Sequence, residues 1–154
     1  MIASMQTNGL AACAKHYLAD GGTEWGTGRD GEIDQGDAKG GEAVLRAVHL
    51  PGYIAAVRAG LYSVMNSYSS WEKPDTNMSE DMHGSHFWIT RVLKHEYGFD
   101  GVVLTDHGGY GTIQVPDAPN DSVRLREQVR IAANAGVDMY MAGPNYGPVL
   151  SELR

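Results

Sequence analysis

The sequence predicts an α/β fold, a parallel sheet whose strands are linked by crossover helices. Two observations carry this: short apolar runs alternate with stretches of helical periodicity, and a polar loop follows each run. With 154 residues and 42% hydrophobic content, the chain can bury one domain-sized core.

Leu10-Ala-Ala-Cys-Ala-Lys15 reads as the first buried strand, with Cys13 inside it as a buried structural thiol. A Gly- and Asp-rich stretch from Asp20 to Gly41 reads as a long loop. Between Glu42 and Ala59, Val44, Leu45, Val48, Ile54 and Val57 recur at helical spacing, with a break expected at Pro51 and a stop at Gly60. Leu61-Tyr-Ser-Val-Met65 is the second strand, and a loop from Asn66 to Asp81 with a Lys-Pro-Asp turn follows it. A helix over about His83 to Tyr97 leads to the third strand, Gly101 to Thr105, whose uninterrupted apolar run suggests cover on both faces. Asp121-Ser122 are the expected N-cap of a helix ending at Ala135-Gly136. Val137-Asp-Met-Tyr-Met141 is the fourth strand, and another helix is expected to begin between Asn145 and Arg154.

Two arrangements suit this order: an open doubly wound sheet, or part of an eight-stranded barrel, which takes about 250 residues to close. No Gly-x-Gly-x-x-Gly or Walker-type loop follows the first strand, which removes support for a nucleotide-binding sheet. The net charge of −7, with scattered Lys and Arg, argues against nucleic acid as a partner. No apolar stretch approaches the roughly 20 residues of a membrane span, and Met1-Ile-Ala-Ser has no signal-peptide pattern. A lone cysteine excludes an internal disulfide.

In parallel α/β folds the strand C-terminal ends face the ligand site. Those ends carry Lys15-His16, Asn66-Ser67-Tyr68, Asp106-His107 and Ala142-Gly-Pro-Asn145. Each has an ordinary reading: a surface lysine, a packed histidine, an aspartate that caps or turns. Gly108-Gly109 weaken the capping reading of Asp106, because no helix is expected directly after it and glycines allow a substrate close to the backbone. Tyr68 and Trp71 either cover the core edge or stack on a sugar ring. His83 and His86, three apart, could share a helix face, but no His-Glu-x-x-His pattern or Cys-His pairing supports metal, and neither metal nor cofactor is expected.

Ala12-Cys-Ala-Lys-His-Tyr17 with Asp20-Gly-Gly-Thr23, His49-Leu-Pro-Gly-Tyr53, Val64-Met-Asn-Ser-Tyr-Ser-Ser-Trp71, Gly98-Phe-Asp-Gly-Val-Val-Leu-Thr-Asp106 and Ala135-Gly-Val-Asp-Met139 together resemble the N-terminal barrel domain of glycoside hydrolase family 3. The resemblance spans nearly the whole chain and lies closer to the β-glucosidase and exo-glucanase branch than to the N-acetylglucosaminidases. It implies that residues 1–154 are about half of a TIM (β/α)8 barrel that hydrolyses terminal β-glucosidic bonds by a retaining mechanism. Asp106 would be the nucleophile, Lys15 and His16 the pair holding sugar hydroxyls, and Tyr68 a wall of the first sugar subsite. His107 stands where many members have Trp, and its imidazole would bind a hydroxyl. The resemblance places the acid/base on a C-terminal domain beyond Arg154, and a further sugar-binding Asp and Arg before Met1. Glu80, Glu96 and Asp138 match no acid of the family. The implied partner is a β-glucoside or β-glucan oligosaccharide, in a secreted or periplasmic setting, with self-association or completion by the rest of the barrel. The competing readings are a non-catalytic sugar-binding or scaffold fragment, and an independent flavodoxin-like domain.

Overall fold

The computed structural model describes residues 1–28, 31–73 and 78–142; the helix expected between Asn145 and Arg154 lies outside them. Strands β1 (Cys13–Tyr17), β3 (Ser63–Asn66) and β6 (Val102–Leu104) form a parallel sheet in the order β1-β3-β6. The expected fourth strand contributes one parallel bridge, Met139 to Leu104, supported by Met139 N donating to the Val103 carbonyl at 3.1 Å and Thr105 N to the Met139 carbonyl at 3.0 Å. Spatial order thus follows chain order. A doubly wound sheet reverses its order at a switch point, and no reversal occurs among these strands.

The crossovers lie on one face of the sheet. The first runs from Gly41 to Arg58: a short α2 (Gly41–Val44), a π-helical turn (Leu45–His49) and α3 (Pro51–Arg58). Pro51 stands at the first position of α3, where its missing N–H costs nothing. Of the apolar set at helical spacing, Leu45 is buried, whereas Val44 and Val48 are exposed. A π-helical stretch, Phe87–Glu96, forms the second crossover and buries Trp88, Ile89, Val92 and Leu93. The third is α4 (Asp121–Ala135). Its N-cap is Asn120 rather than Asp121-Ser122: the Asn120 side chain accepts the Val123 N–H at 3.0 Å, leaving Asp121 in the first turn, where a negative charge suits the helix dipole. Gly136 ends it at φ 107°, as expected of a left-handed cap.

Val64, Val103 and Tyr17 share one core with Ala56, Ile89, Leu93, Ala132 and Ala135 from these helices. The other face of the sheet is open. Cys13, Lys15 and Val102 are exposed there, and Ser63, Met65 and Leu104 are half-buried. This corrects two expectations: the third strand is covered on one face only, and Cys13 is an exposed thiol.

Two regions read as loops contain further structure. The stretch 20–41 holds the short strand β2 (Asp37–Ala38), and the stretch 66–81 holds β4 (Ser70–Glu72) and β5 (Ser79–Asp81). They form a second sheet, β2-β4-β5, with β4 and β5 antiparallel and β2 parallel to β4. Its strands are two or three residues long and mostly polar, too short for an alternation signal. An N-terminal helix, α1 (Ile2–Thr7), has no counterpart among the expected elements. It is fastened by Gln6, whose amide donates to the Gly60 carbonyl at 2.6 Å and accepts the Tyr62 N–H at 3.2 Å.

Candidate active site

Asp106 leaves β6 with its side chain 17% exposed. Its Oδ1 accepts the His107 backbone N–H at 2.6 Å, and its Oδ2 stands 3.2 Å from His16 Nε2, so both oxygens are oriented. His16 Nδ1 lies 2.6 Å from Asp20 Oδ2. Carboxylates only accept, so the imidazole satisfies both contacts when it carries both protons. Asp20 Oδ1 accepts from Ser67 Oγ at 2.8 Å, Ser67 Oγ meets Ser69 Oγ at 2.8 Å, and Ser69 Oγ donates to the Leu18 carbonyl at 2.8 Å. A chain of polar contacts therefore runs from the end of β3 through the turn after β1 to His16, whose Nε2 faces the Asp106 carboxylate. Within it, Asp20 is a site residue that the sequence reading places in a motif without a role of its own.

Tyr68 is half-buried over the same place, and its hydroxyl donates to the His107 carbonyl. Burial, and then the charge of Asp106, raise its pKa above the ordinary phenol value, which keeps the donor protonated. Its polar tip is thus engaged by the protein. The His107 side chain is exposed, while its backbone serves both neighbours. Lys15, expected to hold a sugar hydroxyl with His16, is exposed on the open face that also carries Cys13, and its ammonium makes no ion pair with Asp106. The structure brings Asp106, His16, Tyr68 and His107 together and leaves Lys15 at the rim.

Contacts decide between the two readings of Trp71 and change two expectations. Trp71 is 3% exposed, stacked on Phe87 at 5.7 Å and edge-on to Trp88 at 5.4 Å, with its indole N–H donated to Glu80, so it closes the core rather than offering a sugar platform. Gly109 opens no path to Asp106. A Cβ there would lie 2.0 Å from His83 Nε2, and a 3-10 turn, Gly109–Thr112, starts at once. His83 and His86 share no face: His83 is buried in the turn Met82–Gly84, and His86 is exposed. His83 Nε2 instead accepts the backbone N–H of Asp106 at 3.1 Å. The signal for this histidine in the sequence is slight: an Asp-x-His-Gly turn, and a distant Gly-Gly pair that gives the ring room.

The unassigned acids all have structural partners. Glu80 accepts from Trp71 and Ser85 and pairs with Lys73 at 3.0 Å. Glu96 is held by the Arg46 guanidinium at 2.9 Å, which lowers its pKa. Asp138 meets Lys94 and accepts the Val103 N–H at 2.8 Å. A cavity of about 530 Å³ is lined by Asp37, Lys73, Glu80, Asp81 and Gln114, among others, and touches the site through the Asp81–Gly84 segment. Asp106, His16 and Tyr68 do not line it, so volume is a poorer guide here than the convergence of polar groups on Asp106.

Comparison with known proteins bears on this arrangement. The chain is 31% identical over 145 residues to a beta-glucosidase of Rhizobium radiobacter, covering 93% of this chain and 14% of that protein. It is 31% identical over 151 residues to a periplasmic beta-glucosidase of Salmonella typhimurium, covering 90% of this chain and 16% of that protein. Among solved structures it superposes on the exo-1,3/1,4-beta-glucanase of a Pseudoalteromonas species with a TM-score of 0.71 and 31% identity, over 94% of this chain and 16% of that one. The beta-glucosidase of Listeria innocua in complex with glucose gives a TM-score of 0.72 and 27% identity, over 94% and 18%. The chain thus spans a minor part of the length of these relatives. Residues 1–153 match the glycosyl hydrolase family 3 N-terminal domain, and the chain belongs to that family.

Proposed function

We propose that this chain supplies the nucleophile side of a retaining β-glucoside hydrolase, with Asp106 as the attacking carboxylate. The observation that carries the reading is the setting of Asp106. It is a partly exposed carboxylate at the C-terminal end of a parallel strand, oriented through both oxygens by His16 and the His107 N–H. Family membership and the named β-glucosidase and β-glucanase relatives support the substrate class. His16, Tyr68, His107 and Lys15 line the sugar side, with Lys15, free of Asp106, available for a substrate hydroxyl.

A retaining mechanism needs two carboxyl groups about 5 to 5.5 Å apart, one attacking the anomeric carbon and one protonating the leaving oxygen. Among the described residues, Asp20 meets Asp106 through His16, and Glu80, Glu96 and Asp138 are engaged elsewhere. The acid is placed outside this chain by what the family resemblance implies. The ordered strands and one-sided helices further support residues 1–154 as about half of a (β/α)8 barrel, the open face being turned toward the missing strands. An uncovered sheet face of this kind should self-associate until completed. A periplasmic setting is the one the Salmonella relative favours.

A 2-fluoro-β-glucoside with a dinitrophenolate leaving group tests the nucleophile without its acid, because that leaving group needs no proton. Mass spectrometry should find the glycosyl adduct on Asp106. No adduct, under conditions that label a full-length relative, would leave the chain as a sugar-binding fragment. Size exclusion should show a species larger than one chain.

A further inference from the structure

Asp106 is oriented at its carboxylate by His16 and His107 and, independently, at its backbone by His83. The His83 ring is fully buried. Its Nε2 accepts the Asp106 N–H at 3.1 Å, so that nitrogen bears no proton and the ring is the neutral tautomer protonated at Nδ1. Nδ1 points toward Asp81 Oδ1 at 3.3 Å, too poorly aligned for a hydrogen bond but favourable to a proton on that nitrogen. The same Asp81 oxygen accepts the His83 backbone N–H at 2.9 Å, which fixes the turn carrying the ring. Tyr68 packs over the imidazole at 5.7 Å between ring centres, and Gly109 closes the other approach, where a Cβ would lie 2.0 Å from Nε2.

Resting on the reading of Asp106 as nucleophile, we propose that His83 is a positioning residue for it: a buried imidazole whose Nε2 accepts the Asp106 N–H and so pins the backbone from which the attacking carboxylate projects. Attack on an anomeric carbon is sensitive to placement, and an error of about 1 Å can cost about a hundredfold in rate. Removing the acceptor would leave the Asp106 N–H without a partner and free the strand end to shift. The His16 contact and the His107 hydrogen bond can orient the carboxylate only relative to where that backbone sits.

Two measurements test this in the 154-residue chain. In the unmutated protein, labelled with 15N-histidine, His83 should show an unprotonated Nε2 and a protonated Nδ1, with scalar coupling from Nε2 to the Asp106 amide across the hydrogen bond. A proton on Nε2 overturns the proposal whatever the activity. In the 2-fluoroglucoside reaction, His83→Met, similar in volume but without the acceptor, should slow labelling of Asp106 at least about tenfold at saturation. The half-saturating concentration should stay unchanged, and His83→Gln, whose Oε1 can accept the same N–H, should recover most of the rate. Equal labelling of the Met and Gln variants, or labelling of His83→Met at the parent rate, overturns it. If the parent chain takes no label, the nucleophile reading fails by itself. The His83 tautomer and its coupling to the Asp106 amide then still decide whether His83 holds that backbone.

Discussion

On the covered face of the parallel sheet, Val64, Val103 and Tyr17 are fully buried against Ile89, Leu93 and Ala132, and the aromatic trio Trp71, Phe87 and Trp88 seals the edge under the Arg46 guanidinium. On the open face Val102 is 43% exposed and Met139 56%, with Cys13 and Lys15 beside them. The strands are the same, so only the partners differ. The covered face carries the fold's stability, and the open face carries surface that waits for a partner. Asp106 sits where the two meet, its backbone pinned from the buried side by His83 and its carboxylate directed from the rim by His16.

Trp88→Ala should give the largest loss on the covered face, about 3–5 kcal/mol by the cost of large-to-small core substitutions, read from urea unfolding. A loss below about 1 kcal/mol would mean that this face is not the core. Gly109→Ala drives a Cβ into His83 and should cost about 1–3 kcal/mol, as overpacking does. It should also slow labelling of Asp106, a coupling between buried wall and rim that an ordinary surface glycine would not show.

Alkali probes the same contrast. Burial raises the pKa of Tyr17 well above the ordinary phenol value, and burial with the charge of Asp20 raises that of Tyr53. Their contribution to stability is therefore whole below the ordinary tyrosine range, near about pH 10, and falls as pH rises from there toward the raised native values. Stability measured from about pH 9 to about pH 12 should drop, and the drop should shrink in Tyr17→Phe and Tyr53→Phe; a drop unchanged by both substitutions would place these phenols in solvent. The smallest effect should come from Val102→Thr, within about 0.5 kcal/mol for a site with no core contact to lose. If self-association weakens in that variant, the open face is the contact surface.

The legibility of the chain follows the same division. Helix α4 and its Gly136 stop can be read because periodicity and capping are local, and the apolar centres of β1, β3 and β6 because an uncharged run has few other uses. Asp106 and His16 stand out as polar groups ending such runs. The second sheet is not legible, since its strands are two or three residues long, carry no alternation, and β2 pairs with β4 from more than thirty residues away. Trp71 has the sequence setting of an exposed loop aromatic, and only packing against Phe87 and Trp88 decides its burial.

Sequence alone determined the order of strands and crossovers, the carboxylate that ends β6 and the family signature around it, because each depends on residues adjacent in the chain. Tertiary structure decided which sheet face is covered, that His16 reaches Asp106 while Lys15 does not, and that His83 stands behind Asp106. Those are distances between residues far apart in sequence, set by how the helices close over one side of the sheet, and no local pattern encodes them.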